Sequence, residues 1–289
     1  MNLALFVLSV LCWGSTWVAI TFQTQSAEIE TGIAWRFLTA AFMLFVWLKL
    51  TRRWQSLHWS QIKLCLIQSI FIAGLNYVCF YNAISFISSG MAALIFAMAP
   101  LINSINNYLF FRQTSTMAQN MGALIGIGGL ALVLMEGGGQ FTLNDILMGV
   151  LLGTMGTYSF SIGNMLSTRM QDQGVNPATS NVWSMGAGGV MLTIWSALSG
   201  AAVIPPMDST FWLSTGYLAL VGSVLGFTFY FMLLGRVGSV KAGYVALASP
   251  VVAVLLSSAW EGWDVSVTAW FGISLVLFGN WVGLVKKRS

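Results

Sequence analysis

The chain matches itself at an offset of 150 residues, and that repetition limits what it can fold into. Ser89, Pro100, Gly122 and Gly129 recur as Ser239, Pro250, Gly272 and Gly279. The surrounding apolar runs share one layout: Met91–Phe110 then Gly122–Met135, against Lys241–Ser258 then Gly272–Val285. Each Pro lies within a hydrophobic segment and each first Gly opens another, so the match concerns architecture as well as letters. A hydrophobic chain duplicated this way has the layout of a transporter, where internal repeats build a substrate path between two related halves.

Composition places these runs in a membrane. Hydrophobic residues make up 57% and charged residues 7%, with mean hydropathy +0.81, whereas a soluble domain carries roughly 25% charged residues. A helix crosses a bilayer with about 20 mostly apolar residues. The runs predict spans near Asn2–Thr21, Thr31–Leu50, Gln61–Tyr81, Ser89–Phe111 and Met117–Glu136. The second five are predicted near Asp145–Met165, Pro177–Gly200, Phe211–Leu234, Val240–Trp260 and Val267–Val285. The expected fold class is therefore an all-α integral membrane protein of ten transmembrane helices.

Charge placement tests this count independently. With both termini cytoplasmic, the inner segments hold Lys49, Arg52, Arg53, Lys63, Arg112, Arg169, Arg236, Lys241, Lys286, Lys287 and Arg288. The outer segments then hold Glu28, Glu30, Glu136, Asp145, Asp208, Glu261 and Asp264, and no basic residue. Basic short loops stay on the cytoplasmic side, so the separation agrees with ten spans and would be scrambled by nine or eleven. The net charge of +4 reports topology, because a nucleic-acid footprint needs its basic residues clustered on one face. The first apolar run lacks a charged n-region and an A-x-A cleavage site, and is expected to be a retained helix.

Five spans per half is an odd number, so the halves enter the membrane from opposite sides. The expected architecture is two inverted five-helix repeats, residues 1–136 and 145–289, joined by Glu136–Asn144 with Gly137–Gly139 as the flexible part. In inverted repeats the substrate site lies near the midplane between the halves, and rocking alternates its exposure.

The chain resembles the drug/metabolite transporter superfamily in its ten-helix EamA-like branch. The residues that carry the resemblance are Trp13-Gly14-Ser15-Thr16, Arg36-Phe37, and Ala83–Pro100 (AISFISSGMAALIFAMAP) with its counterpart Leu233–Pro250 (LLGRVGSVKAGYVALASP). The Gly-Glu pair frequent in that family is replaced by Phe111-Arg112 and approximated by Trp260-Glu261. The resemblance implies a bacterial inner-membrane carrier, commonly an exporter of amino acids or related metabolites.

Aromatic residues recur at helical spacing on equivalent helices. Tyr77, Phe80 and Tyr81 correspond to Phe227, Tyr230 and Phe231 at the same offset, and spacings of three and four put each set on one face. Trp13 and Trp17 pair likewise, and Tyr158 lies near the corresponding place on the sixth span. With Arg36, Asn76 and Tyr244 these residues form the candidate substrate-binding set: Trp13, Trp17, Arg36, Asn76, Tyr77, Tyr81, Tyr158, Phe227, Tyr230 and Tyr244. An aromatic-walled cavity with a few polar groups is the usual make-up of a small-molecule site; ordinary interhelix packing is the alternative.

Arg36 lies about five residues into its span, roughly 8 Å deep at 1.5 Å per residue. A charge at that depth is costly and marks function by default. It either holds a substrate carboxylate through two parallel bonds, snorkels to the outer headgroups, or ties backbone carbonyls. Because the Arg-Phe pair resembles a family-wide feature, the structural tie is favoured. Asn103, Asn106 and Asn107 share one face of the fourth span and either line the cytoplasmic route or bond between helices; Asn76 and Asn82 read the same way. Pro100 and Pro250 each remove a backbone bond and form either hinges for rocking or static bends.

Other features point away from enzyme chemistry. Cys12, Cys65 and Cys79 have no metal-ligand spacing and are expected to be buried thiols. Gly122-x-x-x-Gly126 and Gly279-x-x-x-Gly283 suit close helix approach. Gly126-Ile127-Gly128-Gly129-Leu130-Ala131 fits a dinucleotide pattern formally, but it follows no strand and no acid lies in the required place. No P-loop, cofactor site or metal site is expected. Every Asp and Glu falls in a loop or at a helix end, and the single histidine, His58, lies in an inner loop. Proton-coupled carriers keep an ionisable relay within the membrane. The expectation is gradient-driven movement of a neutral, zwitterionic or anionic metabolite, with the lipid bilayer as surroundings and a monomer sufficient. A proton-coupled multidrug or cation carrier and a non-transporting membrane subunit are the alternatives.

Overall fold

Inside a bilayer no water is available to backbone amides, so each N–H and C=O must be paired within the segment that spans it. The computed structural model describes residues 2–112, 116–136, 141–238, 242–261 and 266–284, and among these every regular element is helical. In chain order they are α1 (Asn2–Ser26), α2 (Ile29–Leu50), α3 (Trp59–Ala83), α4 (Ser89–Phe110) and α5 (Met117–Glu136). Then come α6 (Leu143–Asp172), α7 (Pro177–Ser199), α8 (Ser209–Val237), α9 (Tyr244–Glu261) and α10 (Val267–Leu284). Seven of them, α1 to α4 and α6 to α8, are long and apolar enough to cross a membrane. Shorter apolar stretches lie at Leu124–Val133, Val245–Ser257 and Val267–Gly279. The chain is an all-α membrane protein. Gly137–Gly139, Lys241, Asp264 and residues 285–289 lie outside the described residues, as do the side chains of Glu136, Tyr244 and Glu261.

α1 and α6 run furthest past the spans predicted for them, and polar contacts explain the first while packing holds the second. α1 continues to Ser26 because buried Gln23 is bonded: its Nε2 donates to Thr215 Oγ1 at 2.6 Å and to the Gly32 carbonyl at 3.2 Å. α6 continues to Asp172, where Met170 packs with Cys65 and Val175 in a small cluster against the start of α3. Beside it the Gln55 side chain joins two connections, accepting from Asn176 N–H at 2.6 Å and donating to the Gly174 carbonyl at 2.9 Å. Cys12, Cys65 and Cys79 are all buried.

Helix packing repeats when the halves are exchanged. α1 packs on α8 and α9, and α6 packs on α3 and α4; α2 lies against α7, and α5 against α10. Adding or subtracting five from each label returns the same set. The exchange reaches single atoms at the α5–α10 crossing. A Cβ on Gly129 would stand 2.5 Å from the Gly272 carbonyl, and one on Gly279 would stand 2.5 Å from the Gly122 carbonyl. These are the four glycines of the self-match, and absent side chains are what let the two backbones touch.

α3 and α8 share a further departure from regularity. Each contains a π-helical stretch, Ile70–Asn76 and Leu218–Phe227, and the offset of 150 carries the first into the second. A π turn inserts a residue and re-aims the side chains beyond it, and such turns concentrate at functional sites. The two prolines behave differently from each other. α4 is interrupted between Phe96 and Ala99, and Pro100 sits in the first turn of the segment that follows, where its missing N–H costs nothing. Pro250 lies within the continuous helix α9.

Candidate functional site

Four-residue spacing puts Trp13 and Trp17 on one face of α1, and that face meets rings from α3, α4, α6 and α8. Trp13 stands 5.7 Å from Phe160, 5.3 Å from Phe227 and 6.1 Å from Phe96, centroid to centroid. Trp17 lies 5.1 Å from Phe80 in an edge-to-face arrangement. The Trp13 indole N–H donates to the Gly222 carbonyl, at 3.3 Å, in the π stretch of α8. These rings line a cavity of about 50 Å³, whose polar lining is Thr16, Arg36, Asn76 and Tyr77. Asn76 is anchored by donating to the Gly156 carbonyl of α6 at 2.9 Å.

Arg36 is 1% exposed, so it does not snorkel. Among the described residues its bonds go to hydroxyls and to no backbone carbonyl: Nε donates to Ser223 Oγ at 3.0 Å, Nη1 to Tyr81 Oη at 3.1 Å and Nη2 to Tyr77 Oη at 3.3 Å. The guanidinium carbon also stands 4.6 Å from the Tyr77 ring centroid, a cation–π geometry. Tyr81 Oη in turn donates to Gln23 Oε1 at 2.7 Å. Ser223 belongs to α8 and the tyrosines to α3, so the guanidinium joins the two halves beside the cavity.

Trp13, Trp17, Arg36, Asn76, Tyr77 and Phe227 therefore meet around one space. Tyr81 lies just behind it, holding Arg36, and buried Tyr230 packs at 4.6 Å against Trp13. Tyr158 is placed elsewhere. It is 40% exposed and lies in an apolar outer groove with Phe71, Leu75, Ile102 and Ile105, while Phe160 of the same helix takes the inward position. Two residues along a helix are about 200° of rotation, which separates the two faces. Sequence reasoning also missed Phe96, Thr16, Gln23 and Ser223 as site residues; Phe96 carried a signal as an aromatic within the fourth apolar run, and Thr16 as the last residue of the Trp13–Thr16 motif.

Beneath the aromatic floor lies a second polar group. Asn106 Nδ2 donates to Ser161 Oγ at 2.8 Å, joining α4 to α6. Among the described residues the buried amide of Asn103 has no hydrogen-bond partner, and the buried amide of Asn164 faces the hydroxyl of Tyr230. Asn82 bonds locally to the Val78 carbonyl at 2.8 Å.

The model of the EamA-like transporter family matches residues 1–135 and 147–284. The uncharacterized inner membrane transporter YedA of Escherichia coli K12 is 28% identical over 276 residues, covering 95% of this chain and 87% of that protein. The protein PagO of Salmonella typhimurium is 26% identical over 303 residues, covering 98% and 93%. A probable terminal-alkyne amino-acid exporter of Streptantibioticus cattleyicolor is 25% identical over 205 residues, covering 70% and 66%. A solved crystal structure of a protein superposes with a TM-score of 0.72 over 100% of this chain and 99% of that one, at 18% identity, and so shares the fold.

Proposed function

Because the chain belongs to the EamA-like transporter family, we propose that it carries small organic metabolites, amino acids among them, out of the cell by alternating access through the aromatic cavity. The observation that carries this reading is the cavity itself. Arg36, Tyr77 and Trp13 come from residues 1–135 of the chain, Phe160 and Phe227 from residues 147–284, and all line one small space. A site built across two related halves is opened to either side when one half rocks against the other. The exchange of packing partners between α1–α5 and α6–α10 supports the reading of two inverted repeats with ten spans. The Arg36–Ser223 bond is the contact such a motion would stretch.

In this reading the protein lies in a bacterial inner membrane with both termini cytoplasmic, acts without a cofactor, and follows the substrate's electrochemical gradient. The inner-membrane naming of YedA supports the location. The amino-acid naming of the Streptantibioticus relative supports the substrate class only at the level of small carboxylate-bearing molecules. The test is metabolite profiling of cells with and without the gene, followed by counterflow of the leading compounds in proteoliposomes. Saturable counterflow of at least one compound is expected; its absence across the profiled set contradicts the reading.

A further inference from the structure

We infer that Arg36 is the receptor for a substrate carboxylate, and that within the metabolite class proposed above the cavity binds ligands of net charge −1 more tightly than zwitterionic amino acids, and these more tightly than cations. The inference rests on the carrier reading for its setting, and on Arg36 for its content. A guanidinium cannot lose its proton in a protein and offers five N–H donors. Three go to the hydroxyls of Ser223, Tyr81 and Tyr77, which leaves one N–H on each terminal nitrogen. All three partners are neutral. The acids whose side chains are described, Glu28, Glu30, Asp145, Asp172 and Asp208, are half-buried or exposed, and none lines the cavity.

Burying a charge is costly unless it is paired as well as hydrogen-bonded. Hydroxyl dipoles and the Tyr77 ring supply the bonding and part of the solvation, but no opposite charge. A ligand carboxylate supplies that charge, and charge-assisted bonds to a guanidinium are the strong ones. The remaining walls fix the rest of the ligand. Trp13, Trp17, Phe80, Phe96, Phe160 and Phe227 suit a compact apolar body.

Net charge then discriminates among carboxylates. The ammonium of a zwitterionic amino acid would enter the same small space as the guanidinium, and like charges repel more strongly where the surroundings are apolar. Of the lining residues, only aromatic rings, Thr16, Asn76 and Tyr77 could receive it, and none carries a negative charge. A 2-oxo, 2-hydroxy or N-acylated acid leaves the occupied site neutral. A cation makes it doubly charged.

The test is calorimetric titration of the purified full chain in lipid nanodiscs. Three carbon skeletons are used, three-carbon, branched six-carbon and phenylpropyl, each as 2-oxo acid, 2-amino acid and 2-oxo amide. For at least one skeleton the acid is expected to bind at least tenfold more tightly than the amino acid, and ten- to a hundred-fold more tightly than the amide. In monodisperse Arg36→Lys the charge stays but the planar fork is lost, so acid affinity falls about tenfold or more while amide affinity holds. The wild-type comparison decides the matter even where the variant does not fold. Equal affinity for acid and amide, tighter binding of the amino acid, or no acid binding in any skeleton overturns the inference. Acid-selective binding without proteoliposome flux supports it and counts against the carrier reading. Flux without acid selectivity overturns it and leaves the carrier reading in place.

Discussion

Arg36 is held by what its neighbours lack as much as by what they offer. A Cβ at Gly222 would stand 2.7 Å from Arg36 Nη2 and 2.7 Å from Thr16 Cγ2. Alanine is the better helix former by about 1 kcal/mol, so Gly222→Ala opposes a local gain to a displaced guanidinium. The far end of a long side chain can move, but only by giving up the geometry of its bonds to Tyr77 and Ser223. Thermal stability close to wild type is expected, with acid affinity about tenfold weaker, read by melting and calorimetry on one preparation; unchanged affinity contradicts the assigned role. At this scale the sequence was legible in part. A single charge inside an apolar run marked Arg36, but Ser223, 187 residues away, and Gln23 carry no signal that would join them to it. Tyr158 and Phe160 differ by two residues, and without the phase of α6 nothing in the letters says which ring faces inward.

Among helices, the α5–α10 crossing makes the firmest claim, because the atoms an added methyl would meet there are backbone. A Cβ on Gly129 meets the Gly272 carbonyl and Val276 N, and one on Gly279 meets the Gly122 carbonyl and Gly126 N. Backbone has no rotamer to change, so the helices must part. Gly129→Ala and Gly279→Ala should each destabilise the folded protein by about 1–3 kcal/mol, the range for overpacking, and by similar amounts because the two contacts exchange with each other. Thermal unfolding in matched lipid checks both; a variant as stable as wild type contradicts the crossing. The offset of 150 made these glycines visible before any coordinates. The π stretches of α3 and α8 were not visible, since one extra residue in a turn leaves the apolar pattern unchanged. The prolines were visible as a pair, but the sequence did not distinguish Pro100 in a first turn from Pro250 inside a helix.

For the whole molecule, hydropathy carried the all-helical membrane fold class, because a bilayer leaves a chain few options. Loop charge predicts the orientation: cysteines at Glu30 and Asp208 should label from outside in intact cells, and one at Arg53 should not. Outside labelling at Arg53 contradicts it. What composition could not supply is the electrical character of the cycle. If the site carries one fixed positive charge and its ligand one negative charge, the loaded and empty halves of the cycle differ by the ligand's charge, whatever Arg36 does between them. The membrane potential, negative inside, then drives the ligand outward without a proton. The most direct measurement is uptake of the tightest-binding acid into proteoliposomes with a potassium diffusion potential and equal pH on both sides. An interior-positive potential of about 100 mV should support accumulation of up to roughly 50-fold, and reversing its sign should abolish accumulation. Accumulation that ignores the potential and requires a pH gradient contradicts the account.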